Sequence, residues 1–460
     1  MDRLCHGGCE EAAISADSVT ARYLLELDHP IFPLPESDLA KTRFAGRYLP
    51  RPVFLEAREL SGLEHDLSLV WSALGTLPRR LYDGDLGAFA RAVGMTELQA
   101  ECVRRSAGPS PRALTRMGRA DLYRDAAGFR LLEWNFGSPV GGFECVDMCR
   151  ALLAVPEMAA FLAKEGLVYA DTVEAMLATL RSDTGYPRGT HPVVALVGNP
   201  HTFAGMKAAL YGQAARWADH GLPTVVGHLG ELARSNGRLR LRGEPIDVVY
   251  RLFAMEDVPI HVSDGHLEPL LSAAECGEVL IFTPLDGELY GSKGALALLS
   301  EPAGQIGLTP EERDACARLL PWTRRVHAGE AFLEDGSRVD LLAYVLEHQD
   351  DLVLKPSFSY AGKGVVVGAD PDVTHVTWRD RLAQALDGSY VVQRLVRPVP
   401  ELFPSATPGR PTAWTVAWGM FMMRQGYAGT VVRAIPADAG ETVVNFSKGA
   451  LVGCGFHAPA

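Results

Sequence analysis

The chain has 460 residues, 47% of them hydrophobic and 22% charged, with a formal net charge of −12. That length exceeds one ordinary core and implies roughly two to four domains, with the composition of a soluble globular protein. The acidic balance argues against nucleic acid or an anionic membrane as the main partner, while leaving room for a local basic pocket.

The polar start, Met1 to Glu11, has no apolar core of a signal segment, so a cytoplasmic protein is expected. The best apolar run, Ala413 to Met423, is broken by Trp418-Gly419 and reads as a strand rather than a membrane span. Eight cysteines in this length do not make a disulfide scaffold. Cys5/Cys9, with His6 between them, and Cys145/Cys149 are spaced more widely than zinc knuckles and read as incidental or buried thiols.

Residues 1–115 read as a mainly helical region, with apolar residues at helical spacing over Val53 to Leu74 and Gly87 to Ser106. Residues 116–190 open on a hairpin. Arg124 to Gly128 carry turn chemistry, and both flanks alternate. Folded about that turn, opposed residues share parity and point to the same side. Arg119, Asp121, Glu133 and Asn135 then project together, and Ala120, Leu122, Leu132 and Trp134 fill the other face. Two carboxylates, a carboxamide and a guanidinium make either an oxygen-donor site for a hard cation beside an anion clamp, or a solvated face of surface ion pairs. Helices follow as far as Leu180, and the breaker-rich stretch Arg181 to Pro192 marks a boundary.

Residues 191–288 read as a small parallel α/β unit. Its pieces are strands at Val193 to Val197, Pro223 to Val226 and Ile246 to Tyr250, a helix from Ala204 to His220, and a hairpin around Arg238 to Leu241. The strand ends of such a unit can face a ligand, but Gly198-Asn199 makes no dinucleotide fingerprint. Residues 289–460 read as α+β. A helix spans Gly294 to Ser300, and another opens at Thr309-Pro310. Strands are expected at 352–355, 364–368, 389–396, 412–423, 428–435 and 441–446.

In this last part a strand ends in Lys355. A loop of small residues follows (Ser357, Ala361, Gly362, Lys363, Gly364), and a second strand begins. No Gly-Lys-Ser/Thr opens a helix, so this is not a Walker loop, yet its backbone N–H groups can cover a triphosphate. The alternative is an ordinary hairpin with a polar tip. The strand holding Gln393, Arg394 and Leu395 suits an adenine edge or a plain core. Arg433 stands among valines, and folding about Asp438 opposes it to Val443. Phosphate is one candidate partner for such an arginine.

Together these motifs resemble the ATP-grasp superfamily. The Arg-x-Asp and Glu-x-Asn strands precede the lysine strand, an order similar to the circularly permuted branch typified by glutathionylspermidine and trypanothione synthetases. The resemblance covers roughly residues 115 to 450 as ordered motifs. It implies a circularly permuted ATP-grasp fold, α+β with an inserted small parallel α/β domain. Magnesium, expected as two ions, would sit on Asp121, Glu133 and Asn135. Arg119 would handle the acyl phosphate and Arg433 a phosphate. ATP would lie on Lys293 (from Gly291-Ser292-Lys293), Lys355, Ser357, Ala361 to Gly364 and Gln393 to Leu395. The implied activity is ADP-forming amide ligation of a small-molecule or peptide carboxylate to an amine, in a possible homodimer. No polyamine or glutathione pocket is traceable, so neither substrate is inherited. A small-molecule kinase of this fold and a nucleotide-binding regulator are the alternatives.

Overall fold

The computed structural model describes residues 18–33, 44, 46–109, 114, 117–137, 140–186, 190–359, 362–440 and 443–459. Cys5, His6, Cys9 and Ala361 lie outside these residues.

Three sheets organise the described chain. The largest has seven strands in the order Val53–Leu55, Leu451–His457, Gly426–Pro436, Thr412–Met423, Met117–Asp125 and Gly128–Phe136, with Glu401–Phe403 added beside Thr412–Met423. The second runs Leu280–Phe282, Val248–Leu252, Val194–Gly198, Thr224–His228, parallel throughout. Val194–Gly198 and Val248–Leu252 are buried along their whole length, as a sheet covered on both faces requires. The third holds Thr323–Arg325, Tyr390–Arg394, Leu352–Pro356 and Val366–Val367, all antiparallel. Among the described residues no helix is long and apolar enough to cross a membrane.

Several local expectations change. Val53 to Leu74 is not one helix. Val53–Leu55 forms a buried strand parallel to Gly455–His457, and the helix begins at Ala57. A short run of three apolar residues fits either period, and pairing with a distant strand decides it. The stretch Gly87 to Ser106 splits into the helices Leu86–Ala92 and Glu97–Ser106, the second opened by a capping box from Thr96 and Gln99.

The expected strand at 441–446 is absent over its described part, residues 443–446. Arg433 is opposed by Val452 and Ala417, not Val443. The partner strand is Leu451–His457, which no expected element covered. In the sheet its glycines are sites of close approach: a Cβ on Gly453 would meet Leu49 at 2.9 Å, and one on Gly455 would meet Thr430 at 2.9 Å.

The edge of the large sheet is tied down by buried charge. Arg51, 1% exposed, donates to the carbonyls of Leu402 and Pro52 and lies 3.4 Å from the Glu401 carboxylate, which also accepts from Arg124. Removing one partner strands the other as a buried charge. Glu401→Ala is therefore expected to lower unfolding stability by about 3–5 kcal/mol, checked by guanidinium denaturation.

Candidate functional site

The hairpin is shaped by its own turn. The Asp125 carboxylate accepts the N–H groups of Ala127 and Gly128 at 2.8 and 3.0 Å, closing the loop. In the register that follows, Arg119 opposes Asn135 and Asp121 opposes Glu133, so like parity holds at the site. It fails nearer the turn. A bulge follows Asp121, and Leu122 opposes Leu131. Leu131 therefore fills the core, and Leu132 turns toward Tyr123 and Val396 on the site face instead. The bulge re-aims one apolar side chain into the cleft.

Asp121 is held by two guanidiniums. Arg119 grips it bidentately, Nε to Oδ1 at 2.6 Å and Nη2 to Oδ2 at 3.0 Å, and Arg433 reaches Oδ2 at 2.9 Å. Gly419 stands opposite Asp121 in the register of the adjacent strand, and a Cβ there would meet Arg119 Cδ at 2.9 Å. That glycine lets the arginine lie across the strand. Burial alone would raise the Asp121 carboxyl, but the guanidiniums of Arg119 and Arg433 bring it down to about 2.

Glu133 is paired with Lys293, Nζ to Oε2 at 2.9 Å. Burial pushes this carboxyl up, and the Lys293 ammonium outweighs it, leaving Glu133 below its usual range. Lys293 is the first residue of the helix Lys293–Ser300, whose N-cap Ser292 accepts from Gly294 and donates to the Val93 carbonyl. The Lys293 ammonium also donates to the Ser359 carbonyl at 3.1 Å. Asn135 carries a buried Nδ2 with no hydrogen-bond partner among the described residues.

Lys355 projects from the third sheet. Its ammonium donates to Gln393 Oε1 at 2.6 Å, and Gln393 Nε2 donates to Thr323 Oγ1, which donates onward to the Pro321 carbonyl. That relay leaves the Gln393 amide one orientation, carbonyl toward the lysine. Burial pulls the Lys355 ammonium down to about 8; Glu133 opposes that shift and Lys293 adds to it.

These groups line two cavities that share Glu133, Asn135 and Val140. The first, about 400 Å³, lies between the large sheet and the lysine sheet; Lys355, Arg119, Asp121 and Arg433 face it, with Val353, Val367, Leu395, Val396 and Val444 as apolar walls. The second, about 330 Å³, lies between the hairpin and the carboxyl ends of the parallel strands, marked by Asn199 and Leu252.

The structure thus brings Arg119, Asp121, Glu133, Asn135, Lys355, Gly362, Gln393, Arg394, Leu395 and Arg433 to one cleft, and Lys293 with Ser357 to the adjoining one. Lys363 and Gly364 are exposed and line neither. Arg394 gives its guanidinium to Glu334, and Gln393 is a partner of Lys355. Two lining residues were not among the expected site residues: Tyr123, which continues the odd-numbered face of Arg119 and Asp121, and Val396, one residue past Gln393 to Leu395.

Asp121, Glu133 and Asn135 form an oxygen-donor set of the kind a hard cation takes, with each carboxylate held by a cationic side chain that a phosphate could engage instead. Among the described residues, no three His, Cys, Asp or Glu side chains group to hold a metal, so this set relies on the carboxamide as its third donor. Cys145 and Cys149 are buried on one helix.

No protein-family model and no curated protein matches the chain. Among solved structures it is similar to a glutathione synthetase-like effector from Globodera pallida, at 14% identity and a TM-score of 0.50, over 88% of this chain and 86% of the other. A candidate gamma-glutamylcysteine synthetase from Methylobacillus flagellatus covers 90% of this chain and 87% of its own at 13% identity and a TM-score of 0.43, too distant to argue from. The first likeness shows the architecture. The shared fold is that of the glutathione synthetase-like effector.

Lys355 offers a test that needs no substrate. At neutral pH the folded chain holds this desolvated charge at a cost the unfolded chain does not bear, because the folded value lies below the unfolded one. Lys355→Met is expected to stabilise the ligand-free protein at pH 7 by about 1–3 kcal/mol, read by thermal or denaturant unfolding. A lower stability would show that the Gln393 hydrogen bond outweighs the desolvation.

Proposed function

We propose that the chain is an ATP- and magnesium-dependent ligase that joins a carboxylate to an amine, releasing ADP and phosphate. The observation that carries this reading is the convergence of Asp121, Glu133 and Asn135 with four cations (Arg119, Arg433, Lys293 and Lys355) at the meeting of two cavities. Lys355, with no carboxylate at salt-bridge distance among the described residues, leaves a positive charge facing the first cavity, which suits a phosphate.

In this reading the first cavity takes ATP. Its base lies between the apolar walls near Leu395 and Val396, and its phosphates extend toward Lys355 and Arg433. The substrate carboxylate attacks the γ-phosphorus, ADP departs, and an acyl phosphate results. The amine then displaces phosphate to form the amide. Phosphoryl transfer asks mainly for positioning and charge neutralisation, and this residue set supplies both. Lys355 and Arg433 offset phosphate charge, Lys293 holds the junction, and Arg119 stabilises charge developing on the acyl phosphate. Asp121, Glu133 and Asn135 would hold magnesium, which when bound supplies charge neutralisation between the phosphates.

The same reading makes the chain circularly permuted, since Lys355 follows Glu133 by more than 200 residues. Residues 191–288 are then an inserted domain whose strand ends complete the second cavity. The order of the motifs and the architecture support this reading together.

Glu133→Ala is expected to abolish ATP turnover while leaving the unfolding transition in place. The check is phosphate release across paired acids and amines, beside a circular dichroism melt. Hydroxamate formation when hydroxylamine replaces the amine tests the acyl phosphate directly. Ligase activity retained by Glu133→Ala would overturn the assignment.

A further inference from the structure

The second cavity has its own chemistry. Four carboxylates line it, and three are already engaged: Glu133 by Lys293, Glu288 by Arg251 at 2.8 Å, and Asp257 by the Ala254 N–H at 3.2 Å. Glu256 meets its own backbone N–H and, among the described residues, no cation. It sits in the turn Met255–Asp257 just past the strand Val248–Leu252, half-buried, with no cation at salt-bridge distance among the described residues. The wall around it is apolar, from Trp134, Phe136, Met206, Leu252 and Phe358. Asn199, 7% exposed at the end of a neighbouring strand, lines the same space. Its Oδ1 accepts the His201 N–H at 2.9 Å, while its Nδ2 makes no hydrogen bond to any described residue.

A desolvated carboxylate without a counter-ion is costly unless something positive meets it. Burial, reinforced by Glu288 and Asp257 and partly offset by its own backbone N–H and by Lys293, raises the Glu256 carboxyl above its ordinary value, which makes it a better proton acceptor. Lys293 stands in the same cavity but is committed to Glu133 and the Ser359 carbonyl. The positive charge has to come from the ligand.

We propose that the second cavity binds the amine co-substrate as an organic ammonium ion with an apolar body, and that Glu256 anchors the ion and then takes its proton. This rests on the ligase reading and assigns its second substrate. The ammonium gives one proton to the Glu256 carboxylate and becomes a neutral amine. Its lone pair attacks the acyl carbon, the C–O bond to phosphate breaks, and the second N–H proton leaves with the phosphate as hydrogen phosphate. Glu256 returns its proton to solvent. The spare Asn199 donor is available to an acceptor elsewhere on the same ligand.

The probes are n-butylamine and benzylamine, both ammonium ions at neutral pH, against benzyl alcohol and benzoate as neutral and anionic matches. Titration calorimetry without nucleotide is expected to show the ammonium probes binding wild-type protein and the controls failing to bind. Glu256→Gln is expected to weaken ammonium binding about tenfold or more, with an unchanged melting transition, and Glu256→Asp to recover part of it. With a protonated amine substrate, Glu256→Gln should lose amide formation while keeping hydroxamate formation, because hydroxylamine is already largely neutral. Equal ammonium binding by wild type and Glu256→Gln, or equal binding of amine and alcohol, overturns the proposal. A magnesium complex of a non-hydrolysable ATP analogue is titrated separately. If that complex fails to bind while the ammonium probes do, the ligase reading falls and the cation site stands.

Discussion

Two carboxylates that face each other across one hairpin, Asp121 and Glu133, set the terms for everything around them. Asp121 is buried and Glu133 half-buried, and each disfavours the charge on the other. A buried charge persists only where partners meet it. Here the partners come from far apart in the chain: Arg119 from the same strand, Arg433 from the second strand over, Lys293 from a helix start. The ion cluster therefore joins the large sheet to the segment that carries the lysine loop.

The cluster also explains why Lys355 is costly to hold. Three of the four cations have a carboxylate, and the fourth has only the neutral Gln393 carbonyl. Gln393 keeps that carbonyl aimed at the lysine through Thr323 and Pro321, so orientation is set by a chain of neutral groups. A lysine in this setting is electrostatically unsatisfied in the free protein, which fits a place where a phosphate is to arrive. Sites of this kind trade stability for function.

The legible parts of the fold were those whose signal is local. The hairpin announces itself by alternation and an Asp/Gly turn, the lysine strand by its apolar run and small-residue loop, and the helices at Lys293 and Pro310 by their caps. Three strands of the parallel sheet were legible too, as apolar runs, while Leu280–Phe282 was not. What stayed hidden depends on distant pairing. Val53–Leu55 becomes a strand only because Gly455–His457 lies beside it, and no expected element covered Leu451–His457, whose glycines meet Leu49 and Thr430. The bulge that turns Leu132 into the cleft breaks parity without a glycine or proline to mark it. Glu256 belongs to no motif at all. Its importance comes from what surrounds it after folding.

The two cavities differ in sign, and the hairpin is the partition. Arginines and lysine face the first, while Glu256 on the second has no cation at salt-bridge distance among the described residues. In a medium of reduced dielectric such a contrast sorts ligands strongly: a polyphosphate is disfavoured on the acidic side and an ammonium on the basic side. On the ligase reading this removes a practical difficulty. An acyl phosphate formed beside Glu133 and Asn135 is already at the shared wall, so the amine reaches it without the intermediate leaving the site. The apolar lining of both cavities limits water, which would otherwise compete with the amine for the same carbonyl. The order of events then follows from charge. The anionic partners assemble on one side, the cation waits on the other, and they meet only at the residues the hairpin holds between them.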